Sequence, residues 1–127
     1  MKYLIDTHTL IWYLEGNRKI SETAVSTIKN LDNDIYVSVS SFWEIAIKMS
    51  IGKLKLPVSL SAFINTAKTQ NIRSFQFTDE YILVVEKLPF HHKDPFDRII
   101  IATAITEKLP IISTDPNFDK YGIDRIW

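Results

Sequence analysis

The chain has 127 residues, 46% of them hydrophobic and 24% charged, with fifteen basic residues against fifteen acidic ones and no cysteine. A chain of this length buries roughly two thirds of its unfolded surface, enough for a single domain over residues 1–127 without staples. The missing thiol excludes disulfides and thiolate metal sites and makes a reducing cytoplasm the expected compartment, while zero net charge excludes a global positive field for gripping long nucleic acid but leaves room for a local basic patch.

Tyr3-Leu4-Ile5 is a continuous apolar run, as a strand buried on both faces reads, and it ends on Asp6. Asp6 and His8 would interrupt the apolar core of a signal peptide, and nowhere does the chain approach the about 18 apolar residues of a membrane span. Leu10, Ile11, Tyr13 and Leu14 recur at helical spacing, and Glu15-Gly16-Asn17 stops that helix. A second helix is predicted from Ser21 to about Leu31 with Val25, Ile28 and Leu31 on one face, broken by Asp32-Asn33-Asp34. Ile35 to Val39 is β-branched and aromatic, hence a strand.

A third helix begins at Ser40, with Phe42, Ile45, Ala46 and Met49 inward, and ends at Gly52. After the Lys53 to Pro57 connector, Ser59 to Thr69 suits a fourth helix with Leu60, Phe63, Ile64 and Ala67 inward, and Ile72 to Phe77 a short strand. Thr78-Asp79-Glu80 caps a fifth helix carrying Ile82, Val85 and Leu88, which Pro89 closes. Phe90 to Pro95 reads as a polar loop with an exposed His91-His92 pair. The sixth helix, about Pro95 to Glu107, is so uniformly apolar from Ile99 to Ile105 that it should lie deep. Ile111-Ile112 repeats the strand that ends on an acid, here Asp115, and Gly122 to Trp127 suits a final edge strand.

Alternating strands and helices predict an α/β fold, a three-layer α/β/α sandwich around a mostly parallel sheet, with every strand's carboxyl end on one edge. Asp6, Glu44, Asp97 and Asp115 all fall on that edge. Each has a plain alternative. Asp6 caps a helix, Ser41-x-x-Glu44 is a capping box with Lys48 at i+4, Asp94-Pro95-Phe96-Asp97 is an N-cap with Pro at N1, and Asp115-Pro116 starts a turn. A cap contributes about 1 kcal/mol, whereas two carboxylates about 4 Å apart repel by roughly 4 kcal/mol at an effective dielectric of 20. Convergence of all four therefore calls for a cation between them. Carboxylate ligands without Cys, and without His at ligand spacing, suit Mg²⁺ or Mn²⁺, and phosphodiester hydrolysis is the natural chemistry of such a site.

Four stretches together carry a family resemblance: Leu4-Ile5-Asp6-Thr7-His8 with Leu10-Ile11-Trp12; Ser41-Phe42-Trp43-Glu44-Ile45 with Lys48 to Leu54; His91-x-x-Asp94-Pro95-Phe96-Asp97-Arg98 with Ile101-Ala102-x-Ala104; and Ile112-Ser113-Thr114-Asp115. On these the chain resembles the PIN-domain ribonucleases, most closely the VapC-type toxins of bacterial toxin-antitoxin pairs. The resemblance implies a PIN-like fold and a metal-dependent endoribonuclease in which Asp6, Glu44, Asp97 and Asp115 hold one or two Mg²⁺ or Mn²⁺ ions. It implies RNA as substrate, a homodimer, and a small cognate antitoxin that often sends a basic side chain into the acidic pocket. Asp94 is then a cap or an outer partner of the site, and Thr7, Ser113 and Thr114 place hydroxyls near the acids.

Lys93 and Arg98 flank the acids and read equally well as phosphate contacts or solvated surface. Lys48, Lys53 and Lys55 read as a solvated face, with RNA guidance as the alternative. Trp12, Phe42 and Trp43 sit in helical apolar patterns and read as core, or, if exposed, as a partner groove. Two rival functions remain: an aspartyl-phosphate phosphotransferase or phosphatase using Asp6, against which His8 stands where a general acid would be wanted, and a catalytically inactive PIN-like binding module.

Overall fold

Leu4 and Ile5 point to opposite sides of the sheet, and two separate cores form around them. The computed structural model describes residues 1–127. Its strands are β1 (Lys2–Ile5), β2 (Asp34–Ser38), β3 (Ile72–Phe75), β4 (Ile111–Ile112) and β5 (Arg125–Ile126), in the spatial order β3-β2-β1-β4-β5. Every pairing is parallel, so the sheet is wholly rather than mostly parallel. Its helices are α1 (Thr7–Glu15), α2 (Glu22–Lys29), α3 (Val39–Ser50), α4 (Leu60–Thr69), α5 (Asp79–Lys87) and α6 (Pro95–Glu107), with a 3-10 helix over Pro116–Tyr121.

Strand pleating sorts the side chains by parity. Ile5, Ile35, Val37, Ile72 and Ile112 pack against Leu10, Ala24, Ile45 and Phe63 of α1 to α4, while Leu4 and Ile111 pack against α5, α6 and Phe118. The sandwich expected from the alternation is therefore present. Ile100 to Ala104 are buried as the uniform apolarity of α6 requires, although Ile105 reaches the surface at 38% exposure.

Some boundaries and faces differ from those read in the sequence. The second helix ends at Lys29, because Asn30 leaves helical geometry and its side chain accepts the Asp32 N–H at 2.9 Å; Leu31 is consequently exposed instead of inward. The strand at Ile72 stops at Phe75. In α5 the inward set is Tyr81, Val84, Val85 and Leu88, at i, i+3, i+4 and i+7, and Ile82 is exposed. Tyr81 wins because it buries its ring while its hydroxyl donates to Glu107 Oε1 at 2.8 Å. Trp43, read as core, is half exposed, whereas Phe42 is buried and Trp12 intermediate.

One boundary difference matters for the site. Ser38 is both the last residue of β2 and the N-cap of α3, its hydroxyl accepting the Ser40 N–H, so helix follows strand without a loop. No capping box forms between Ser41 and Glu44. Glu44 lies in the second turn, not the first, and is 3% exposed. The chain reverses its direction of growth across β1, since β2 and β3 lie on one side and β4 and β5 on the other. Ligands of parallel sheets bind at the carboxyl ends beside such a switch point, and Asp6 after β1 and Asp115 after β4 flank it.

Candidate active site

Asp6 is a helix cap and more. Its Oδ1 accepts the Thr9 N–H at 3.0 Å, and its Oδ2 accepts a 2.7 Å hydrogen bond from Ser113 Oγ. Burial raises its pKa from the ordinary value, against the lowering effect of those hydrogen bonds. Ser113 Oγ in turn accepts the Asp115 N–H at 3.0 Å, tying the ends of β1 and β4 together. Asp115 caps the 3-10 helix through Oδ1, which accepts the Asn117 N–H at 2.9 Å.

Glu44 reaches the same edge from α3. Thr7 Oγ1 lies 2.8 Å from Glu44 Oε1 and 2.9 Å from Ser41 Oγ. A hydroxyl has one proton, so Thr7 donates to the carboxylate and accepts from the serine. Lys48 Nζ, one helical turn on, meets Glu44 Oε2 at 2.6 Å, and this contact raises the lysine pKa. The i+4 pair read from the sequence is thus formed. Its carboxylate end is buried inside the site, with only the ammonium end, 38% exposed, at the surface.

Asp94 and Asp97 divide their duties by helical position. Asp94 is the N-cap of α6: its Oδ1 accepts the N–H groups of Phe96 at 2.8 Å and Asp97 at 3.0 Å, with Pro95 fixed between. Asp97, at N3, is not committed to the cap. Its pKa is raised from 3.8 to about 8, first by burial and then by the charges of Asp94, Asp6, Glu44 and Asp115. Four acids from four elements are therefore close enough to resist ionisation of a fifth.

His92 is the residue the sequence reading misplaced. Instead of belonging to an exposed pair, its side chain is 12% exposed, and its Nε2 lies 3.0 Å from Asp97 Oδ2 and 3.1 Å from Asp115 Oδ2. A donor-capable histidine thus stands among the acids, where the sequence favoured an exposed loop pair over one that binds RNA or shuttles a proton. Only His91 remains exposed. The available signal was the His-x-Asp-Pro spacing, which lets the ring receive the N–H of the cap residue itself.

Arg98 turns away from the acids. Its guanidinium is buried and donates to the carbonyls of Val85, Leu88, Pro89 and His92, all at 3.1 Å, under the Phe90 ring 4.2 Å away. It fastens the α5–α6 connection with contacts from both of its Nη groups. Lys93 and Thr114 are exposed on the rim. A cavity of about 230 Å³ opens beside Glu44, with Ile11, Trp12, Ile45 and Leu54 as its apolar lining and Lys48 and Lys55 as its basic one.

The donor set fits a hard divalent cation. It consists of carboxylate oxygens, each with lone pairs beyond the hydrogen bonds it accepts, and the charges of four neighbouring acids add to burial in raising the Asp97 pKa. The ligand atoms of His92, Asp97 and Asp115 lie within 4.8 Å of one another, while Asp6 and Glu44 act on Asp97 through charge.

A PIN domain family model matches residues 3–124. Among solved structures, the chain superposes on VapBC2 from Rickettsia felis bound to a promoter DNA fragment, with TM-score 0.74, 14% identity and coverage of 99% of this chain and 98% of that one. FitAcB from Neisseria gonorrhoeae superposes with TM-score 0.69, 16% identity and coverage of 98% and 96% respectively. A toxin-antitoxin complex from Klebsiella pneumoniae follows with TM-score 0.62, 18% identity and coverage of 90% and 87%. No curated protein gives a significant sequence match.

Proposed function

The chain belongs to the PIN-domain family, and on that premise we propose that it is a Mg²⁺- or Mn²⁺-dependent endoribonuclease, the toxin of a toxin-antitoxin pair. PIN domains are generally nucleases that work with a divalent metal. The observation that carries the reading here is convergence: Asp97 and Asp115, from different elements, both come within 3.1 Å of His92 Nε2, and Asp94, Asp6 and Glu44 lie near enough to add to the burial that raises the Asp97 pKa. Scattered helix caps would not converge in this way, which speaks against an inactive binding module. The aspartyl-phosphate alternative suffers because His8 stands two residues after Asp6, where that chemistry wants an acid.

In this reading Asp6, Asp97, Asp115 and Glu44 hold one or two ions. When bound, such an ion supplies Lewis-acid polarisation of the scissile phosphoryl group and activation of water. The chain's own part is orientation. Ser113 sets Asp6 against Asp115, Thr7 and Lys48 fix the two oxygens of Glu44, and Asp94 satisfies the helix end so that Asp97 is free to face the strand edge. Exposed Lys93, beside the loop that carries His92 and Asp94, is the residue assigned in this reading to RNA phosphates.

The similar structures are complexes, which supports a small antitoxin as partner. The cavity beside Glu44 suits it, because a basic side chain entering there would compete with Lys48 for the buried carboxylate. A homodimer in the cytoplasm completes the proposal, and no helix is long and apolar enough to cross a membrane. The test is incubation of the purified chain with single-stranded RNA, with Mn²⁺ and with EDTA, beside Asp6→Asn. Wild type should cleave only with metal, and the variant, whose Asn still caps α1, should lose cleavage without losing stability. Metal-independent cleavage, or an active Asp6→Asn, would defeat the reading.

A further inference from the structure

We infer that His92 is a positioning residue that holds Asp115 through an Nε2–H hydrogen bond and sets it against Asp97, and that it is not itself a metal ligand. The inference rests on the metal-site reading above and concerns how two of its acids are kept in place. The ring's other nitrogen decides the matter. Asp94 N–H donates to His92 Nδ1 at 3.3 Å. A backbone amide can only donate, so Nδ1 must present a lone pair, and the ring's single proton then sits on Nε2. Nε2 faces two acceptors, Asp97 Oδ2 at 3.0 Å and Asp115 Oδ2 at 3.1 Å. Turning the ring over would set carbon-bound hydrogens against both the amide and the carboxylates, losing every one of these contacts.

Coordination through Nε2 would need the opposite tautomer. The proton would move to Nδ1 and meet the Asp94 N–H head on, two donors 3.3 Å apart. Compactness of the three side chains therefore does not make the imidazole a ligand. What it does is set two acids against each other: Asp97 comes from α6 and Asp115 from the end of β4, and His92 Nε2–H hydrogen-bonds Asp115 Oδ2 while Asp97 Oδ2 lies 3.0 Å from the same nitrogen. Ligating carboxylates keep their geometry through such outer hydrogen bonds.

The histidine is itself fixed at every polar point. Its N–H donates to Tyr121 Oη at 2.8 Å, its carbonyl accepts from Arg98 Nη1 at 3.1 Å, and its ring meets Phe118 at 6.0 Å and 64°. Tyr121 passes its own proton to the Pro89 carbonyl at 2.7 Å, which Arg98 also holds. His92, Asp94, Asp97 and Arg98 thus form one unit, with Arg98 locating the loop, the loop locating the ring, and the ring locating the acids.

The test uses the wild-type chain first. Nitrogen-15 NMR of His92 should show the Nε2–H tautomer in the metal-free protein and the same tautomer after saturation with Mg²⁺. Pulsed EPR of the Mn²⁺-loaded chain should show no directly bound imidazole nitrogen. His92→Ala should weaken Mn²⁺ binding about 10- to 100-fold, and His92→Gln, which can present an amide N–H to the same carboxylates, should recover most of it. A bound-nitrogen signal in wild type that His92→Ala lacks would overturn the inference, as would His92→Ala binding Mn²⁺ as tightly as wild type. If wild type binds no Mn²⁺, the metal reading fails separately, and the NMR tautomer of the free protein still decides the donor assignment.

Discussion

Asp97→Asn is expected to remove Mn²⁺ binding and lower RNA cleavage by at least about 100-fold, more than the loss of an outer partner would cause. The metal-free variant should be at least as stable as wild type, because Asn keeps the shape but removes a carboxyl that burial and four neighbouring acids already resist ionising. Asp94→Ser, three residues earlier, should keep much of the activity, since Ser caps the first turn of α6 nearly as well as Asp. Parallel Mn²⁺ titrations and cleavage assays separate the two. An active Asp97→Asn beside a dead Asp94→Ser would assign the site to the cap residue and refute the division of roles along this helix.

Arg98→Met should cost about 3–5 kcal/mol of stability, the range for breaking a buried charged hydrogen-bond network. Met replaces much of the aliphatic volume, so the loss would come from the carbonyls of Val85, Leu88 and His92, left without their charged donor, while that of Pro89 keeps the Tyr121 hydroxyl. Urea unfolding reads it as a lower midpoint at unchanged slope. A loss within about 1 kcal/mol would mean that the connection between α5 and α6 is held by something else.

How far the sequence could be read depended on whether a residue's role was local. Tyr3 to Asp6 and Ile111 to Asp115 announce strand and acid within a few positions, and the N-cap role of Asp94 follows from Pro95 beside it. Asp6, Asp97 and Asp115 were legible because each stands where a strand ends or a helix begins, whereas Glu44 reaches the edge from the second turn of α3. His92 and Arg98 were not, because what they touch lies elsewhere in the chain: Asp115 is 23 residues from His92, and the Val85 carbonyl is 13 residues from Arg98. A polar loop and a buried polar staple have the same composition. The inward face of α5 failed for another reason, since Tyr81 and Ile82 are both apolar enough to fill it and only the distant Glu107 settles which one does. Likewise Ser38 and Ser41 are both good caps, and the pairing of Ser38 with Phe75 in the sheet sets where α3 begins.

The central claim is that the acids converge on a cation, and calorimetric titration with Mn²⁺ at pH 7 in buffers of different ionisation enthalpy tests it most directly. An Asp97 carboxyl with a pKa of about 8 is mostly protonated in the metal-free chain at that pH, so metal entry must displace its proton. Affinity should therefore rise with pH until the carboxyl ionises unaided near 8, and level off above that. The account predicts saturable binding with release of about one proton per site, abolished in Asp97→Asn. Absence of binding, or binding unchanged in Asp97→Asn with no proton released, would contradict it.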